Sequence, residues 1–329
     1  MKLAVLGAGA WGTAISISLV QRHRVVLWAR DAQQAREIAA TRANQRYFPG
    51  FTIPDAIAVT VELAAALEAC DVILVATATA GLRPTLRRLT AAGNTAPVVW
   101  LCKGFEAESA QLPHQIAASE LPPTLSRAVL SGPSFATEIA RGLPAALTLA
   151  SCDAEFALRV ANELHDGALR IYSSDDVIGV EVAGALKNVM AIAAGICDGL
   201  GLGYNARAAL ITRGLAEITR LGLKLGGRLE TFMGLAGAGD LILTCTSDLS
   251  RNRNVGLQLA RHVTLPEALR ALGHVAEGVY TARAVDRLAR DIGVDMPITR
   301  AVCRVMDENV PAHEAVRELL RRDPKPERR

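Results

Sequence analysis

The hexapeptide Gly7-Ala8-Gly9-Ala10-Trp11-Gly12 constrains this chain more than any other feature. It directly follows the apolar run at residues 3–6, opens a helical stretch at 11–22, and precedes a second β-branched run, Arg24–Trp28. In a G-x-G-x-x-G at that spacing, Gly7 allows the tight turn and Gly9 lets a pyrophosphate approach the backbone. Gly12 lets helix and strand pack closely, and the free N–H groups of the helix N-terminus meet the phosphates. A Gly-rich packing turn is the alternative, but the strand–helix–strand context favours a dinucleotide. The second strand ends in Trp28-Ala29-Arg30-Asp31. Asp31 reads as a helix N-cap, and Arg30 either pairs with a ribose 2′-phosphate or is a surface arginine, so NADPH and NADH both stay open.

From Met1 to about Asp175, short β-branched runs alternate with helical ones. Further strands are expected at 71–76, 97–102, 128–130 and 146–149, and a helix at 31–42. That rhythm predicts a doubly wound parallel sheet with helices on both faces, an α/β, Rossmann-like domain over residues 1–175. Beyond Asp176 the β-rich runs disappear. Helices are expected at 177–197, 206–221, Asp240–Thr246, 254–261, Leu265–Leu272, 280–290 and 297–309, with a Gly-rich loop opening at Gly234. Residues 176–329 thus read as a C-terminal all-α domain.

With 329 residues the chain suffices for two domains with full cores. A net charge of +3 is too small to argue for nucleic acid, and the only basic run, 321–329, reads as a solvated tail. Six scattered cysteines (70, 102, 152, 197, 245, 303) read as reduced, mostly packed thiols of a cytosolic protein, with neither a disulfide framework nor a metal site. The N-terminus begins like a signal peptide, but Gly7 ends the apolar run. The stretch 177–196 is the most apolar, yet Lys187 at its centre disfavours membrane insertion.

That lysine is the strongest candidate for chemistry. Its neighbours one turn away are Ala183, Gly184, Met190 and Ala191, so no carboxylate on its own helix neutralises it. A buried, unpaired ammonium has a lowered pKa, which suits a general acid that protonates a carbonyl oxygen while hydride arrives at carbon. A snorkelling lysine is the alternative. Lys103 and Gly132-Pro133-Ser134-Phe135-Ala136 follow two strands at their carboxyl ends, where doubly wound folds bind ligands. Asp240, after Gly234-Leu235-Ala236-Gly237-Ala238-Gly239, is either an N-cap or the partner that polarises Lys187. Ser250-Arg251-Asn252 suits a small phosphate, and solvated loop charge is the equal alternative.

Together these motifs resemble the bacterial NAD(P)-dependent glycerol-3-phosphate dehydrogenase family over nearly the whole chain. The resemblance is carried by the fingerprint, Asn44-Gln45-Arg46-Tyr47-Phe48-Pro49, Lys103-Gly104-Phe105-Glu106, Gly184-Ala185-Leu186-Lys187-Asn188, Asn205-Ala206-Arg207, Gly237-Ala238-Gly239-Asp240, Ser250-Arg251-Asn252-Arg253 and Val275-Ala276-Glu277-Gly278. It implies Lys187 as general acid/base, with Lys103, Gly132, Ser134, Asp240, Ser250, Arg251 and Asn252 around a triose phosphate. Trp11, Arg30, Lys103, Ala136, Arg251, Val275 and Glu277 would contact NADPH or NADH. It also implies dihydroxyacetone phosphate or glycerol 3-phosphate as substrate, a role in phospholipid precursor supply, and cytoplasmic members that are often homodimers. The chain departs from the family at Ala10, where serine is common, and at Thr77-Ala78-Thr79, where Val-Pro-Ser is usual. A related β-hydroxyacid dehydrogenase and a non-catalytic dinucleotide sensor are the competing readings.

Overall fold

The computed structural model describes residues 1–273 and 275–321, so the reading of the basic tail lies, from 322 onward, outside the described residues. Among the described residues ten strands form: β1 (Lys2–Leu6), β2 (Arg24–Trp28), β3 (Ala43–Asn44), β4 (Phe48–Thr52), β5 (Ala58–Thr60), β6 (Val72–Val75), β7 (Val98–Trp100), β8 (Arg127–Ser131), β9 (Ala145–Ala150) and β10 (Leu169–Ser174). Eight make one sheet in the order β10-β9-β8-β7-β6-β1-β2-β5, and β3 and β4 form a separate antiparallel hairpin. β1 and β6 are buried almost throughout, as strands covered on both faces by helices must be.

The sheet is predominantly parallel, as expected, with one antiparallel junction. β9 pairs antiparallel to β8, and β10 runs parallel to β9, so two strands run against the other six. β5, β10 and the hairpin escaped the sequence reading because they are short or half-exposed. Strand order reverses at β1, which lies between β2 and β6. The crevice beyond the carboxyl ends of β1 and β6 is therefore the topological switch point.

The helical part is organised around Val177–Gly199. Asp176 caps it, accepting from the Gly179 amide at 2.8 Å, and also accepts from the Arg228 amide and the Thr231 hydroxyl. By length and apolarity this helix could cross a membrane. Here every residue from Gly179 to Cys197 is buried, so it is the core of the helical part. Its closest neighbour is the helix Arg251–Ala260, and the approach needs glycine on both sides. A Cβ at Gly195 would stand 2.0 Å from the Arg253 carbonyl oxygen, and one at Gly256 would stand 2.0 Å from that of Ile192.

Several helical elements differ from expectation. The helix expected at 254–261 begins at Arg251, because Ser250 caps it by accepting from the Arg253 amide at 3.2 Å. The Gly-rich segment is no loop: Leu235–Gly239 winds into a π-helical turn, with the Gly239 amide donating to the Gly234 carbonyl. A Cβ at Gly237 would stand 2.1 Å from the Phe232 carbonyl oxygen. A further helix, Ala312–Leu320, follows the last expected one. All six cysteines are free, and Cys152 is exposed rather than packed.

Candidate active site

The fingerprint lies in the crevice at the switch point. Gly7 has φ +124°, and a Cβ there would meet the Ala76 carbonyl oxygen, at the end of β6, at 2.7 Å. A Cβ at Gly12 would stand 1.9 Å from the Gly7 carbonyl oxygen, so this glycine is what lets the helix Ala10–Leu19 start against β1. Gly9 differs from both: nothing lies within 4 Å of its Cβ position. One glycine without a neighbour, between two that are closely packed, fits a backbone left open to an approaching pyrophosphate. Trp11 is half-buried in the first turn of this helix, and Ala136 opens the short helix Ala136–Ala140 packed against it.

Beyond the carboxyl ends of β7 and β8, side chains from four segments converge. Lys103 Nζ donates to Asp240 Oδ2 at 2.8 Å and to the Gly132 carbonyl at 2.9 Å, and the Ser134 hydroxyl donates to that same carbonyl. Gly132 adopts φ +133°, a conformation that residues other than glycine rarely tolerate. Lys187 Nζ donates to Asp240 Oδ1. Asp240 is fully buried, and the side chains of Lys187 and Lys103 are only 10% and 13% exposed.

The solitary ammonium expected from sequence is therefore paired, by a carboxylate delivered from the π-turn 53 positions away. Nor does Asp240 act as an N-cap: it is the first residue of Asp240–Thr246, with its carboxylate turned to the lysines. Burial lowers the Lys187 pKa to about 7. The Asp240 charge opposes that shift, and the like charge of Lys103 adds to it. Two ammonium groups on one carboxylate suit an anionic ligand.

The phosphate candidates sit on the first turn of Arg251–Ala260. Arg251 is exposed to solvent, but the protein around it lowers its pKa while the Glu277 charge acts in the opposite direction. Asn252 bridges two helices, donating to Asn188 Oδ1 at 3.0 Å and accepting from the Gly278 amide at 3.0 Å. Among the described residues no hydrogen bond joins Ser250 or Arg251 to the lysine pair; the link runs through Asn252 and Asn188. Val275 is exposed, and Arg30 is exposed just past β2.

Several contacts here gave no sequence signal, although Glu277 and Arg253 themselves stand in motifs quoted above. Glu277, at the start of Glu277–Asp291, accepts from the Thr79 amide at 3.1 Å and so ties the helical part to the end of β6, and burial raises its pKa. The hydroxyls of Thr79 and Thr281 are buried without hydrogen-bond partners and both crowd Gly104, beside Lys103. Arg253 is held by Asp198 and Asp248, which fixes the helix that carries Arg251. Apart from Arg253–Asp248, five positions apart, these contacts span tens to hundreds of residues, so no local pattern announces them.

A switch-point sheet with an open fingerprint glycine, and a lysine of near-neutral pKa beyond its strand ends, defines a nicotinamide-dinucleotide oxidoreductase. Residues 2–157 match the family model for the NAD-dependent glycerol-3-phosphate dehydrogenase N-terminus, and residues 176–317 match that for its C-terminus. The chain belongs to the NAD-dependent glycerol-3-phosphate dehydrogenase family. It is 58% identical to glycerol-3-phosphate dehydrogenase (NAD(P)+) of Nitrosospira multiformis and 57% identical to that of Dechloromonas aromatica, each match covering 99% of both chains. Its fold is similar to the crystal structure of glycerol-3-phosphate dehydrogenase from Coxiella burnetii, with TM-score 0.93 and 41% identity over 98% of this chain and 99% of that one.

Proposed function

We propose that this chain catalyses the NAD(P)H-dependent interconversion of dihydroxyacetone phosphate and sn-glycerol 3-phosphate. The observation that carries this reading is the buried Lys187–Asp240–Lys103 cluster beyond the strand ends, with Lys187 near pKa 7. When bound, the reduced nicotinamide supplies hydride to C2 of the ketone. Lys187 gives its proton to the C2 oxygen as negative charge develops there, and in the reverse direction its neutral amine removes the hydroxyl proton. A pKa of about 7 leaves both forms available at neutral pH. Asp240 holds the amine in place, while Lys103, with Gly132 and Ser134 beside it, stabilises the substrate oxygens. Ser250, Arg251 and Asn252 take the phosphate, with the guanidinium supplying the charge.

Gly7, Gly9, Gly12, Trp11, Arg30, Lys103, Ala136, Arg251, Val275 and Glu277 would hold the dinucleotide. In this reading residues 1–175 form the dinucleotide-binding domain and 176–329 the helical substrate-binding domain, each lending a few residues to the other's ligand. The protein works in the cytoplasm as a homodimer, uninserted in membrane and unattached to nucleic acid, and supplies the glycerophospholipid precursor.

The test follows NADPH and NADH absorbance with dihydroxyacetone phosphate, dihydroxyacetone and succinic semialdehyde. Rapid oxidation is expected only with the phosphorylated ketone; preference for succinic semialdehyde points to a β-hydroxyacid dehydrogenase instead. Lys187→Ala should lower kcat by roughly 10²–10⁴-fold, the usual contribution of a general acid, and leave NADPH binding near wild type. An unchanged kcat removes Lys187 from the mechanism.

A further inference from the structure

The Asn44-Gln45-Arg46-Tyr47-Phe48-Pro49 motif has no place in the chemistry described so far, yet its hairpin is fastened to the dinucleotide site. Asn44, on β3 and almost fully buried, donates to the Ala8 carbonyl at 2.9 Å, inside the fingerprint, and to the Thr13 hydroxyl at 2.8 Å. Gln34 donates to the same carbonyl, and Phe48 and Phe51 stack at 4.3 Å on β4. The turn between the strands therefore has a fixed place beside the pyrophosphate loop. Its middle residue is Arg46, whose guanidinium lies 5.1 Å over the Tyr47 ring and 3.5 Å from Asp31 Oδ2.

Asp31 is the acidic residue at the end of β2, where an NAD enzyme would use a carboxylate on the ribose 2′-hydroxyl. In this chain its Oδ1 is taken up by capping: it accepts from the Gln33 amide at 2.9 Å and the Gln34 amide at 3.1 Å. Its other oxygen faces Arg46. Arg30, the preceding residue, is exposed and has no ion pair among the described residues. Arg30 thus adjoins Asp31 along the chain and Arg46 reaches it from the turn, and the carboxylate at this strand end is largely compensated.

We propose that Arg46, on the β3–β4 turn, is a second specificity residue for the 2′-phosphate of NADPH, acting with Arg30 across a neutralised Asp31. The inference rests on the dinucleotide reading given above. An exposed Arg–carboxylate pair contributes little, so Arg46 gives up little in turning from Asp31 to a phosphate, and the Gln33 and Gln34 amides still hold the carboxylate. With NADH it keeps Asp31 and contributes nothing. Arg46 therefore acts on the difference between the two nucleotides.

The test is equilibrium binding of NADPH and of NADH, read by nucleotide fluorescence without substrate, on wild type, Arg46→Ala and Arg46→Glu. Both variants alter an exposed turn, and a thermal melt checks that each is folded. Arg46→Ala should weaken NADPH about tenfold, the scale of one charge-assisted contact, and leave NADH unchanged. Arg46→Glu should weaken NADPH further. The wild-type preference should also shrink as pH falls through about 6, where a phosphate monoester takes up its second proton. Equal weakening of both nucleotides, or no change in NADPH, overturns the assignment of Arg46. Failure of the wild type to bind either nucleotide is a different outcome: it overturns the dinucleotide reading itself.

Discussion

Two ammonium groups around a single carboxylate set the pH response of the site. Asp240 raises the Lys187 pKa and Lys103 lowers it, with burial outweighing both. Reduction of the ketone consumes the protonated form, so kcat in that direction should fall as pH rises through about 7. Oxidation of glycerol 3-phosphate needs the free amine and should rise over the same range. Lys103→Met removes the like charge and should move both limbs to higher pH, whereas Asp240→Asn removes the opposite charge and should move them lower. Both variants will also be slower, so the comparison rests on where the limbs fall in kcat–pH profiles. Limbs unmoved in both variants would mean that another group titrates. Lys187 was legible in the sequence because a charged residue amid an apolar helix is conspicuous; its pairing with Asp240 was legible only as one of two alternatives, because Asp240 arrives from a segment whose winding no local rule specifies.

Among the elements, the fingerprint was the most legible, since spacing alone fixes what each glycine does, and the three glycines now make separable predictions. Gly12→Val puts a side chain onto the Gly7 carbonyl and should lower Tm as well as abolish dinucleotide binding. Gly9→Val enters open space at an ordinary extended backbone, so it should leave Tm near wild type and still raise the Kd for NADPH strongly. Thermal melts and nucleotide titrations of the pair check this, and a Gly9→Val protein that binds normally would show that the open space is not the pyrophosphate seat. Alternating β-branched and helical runs likewise made β1, β2, β6, β7, β8 and β9 legible. The direction of β9 was not, because residue pattern reports burial and not chain polarity. The π-turn was misread for a related reason. Gly237 serves close approach to the Phe232 carbonyl five residues before it, a contact made by the winding of the turn itself and not by any periodicity of apolar residues.

At the scale of the whole molecule, a charge buried in the central helix is a cost to folding with a definite pH signature. The Lys187 pKa is depressed, so between about 7 and the ordinary lysine value of 10.5 the unfolded chain binds more protons than the folded one. Stability from this group therefore climbs with pH across that window, and its penalty is complete below about 7. The stability of wild type relative to Lys187→Met, from denaturant titrations at pH 6, 8 and 9.5, should rise at each step by as much as about 1.4 kcal/mol per pH unit. A constant difference would mean that the amine is not desolvated. The Val177–Gly199 helix has a consequence before folding is complete as well. During synthesis it leaves the ribosome as an apolar rod, and its tightest partner, Arg251–Ala260, follows only after several further helices. At ~5–20 residues per second the nascent chain carries that uncovered rod for several seconds. In that interval it presents what any factor that captures emerging apolar segments recognises, so yield in the cell depends on translation speed through this stretch as well as on the stability of the finished fold.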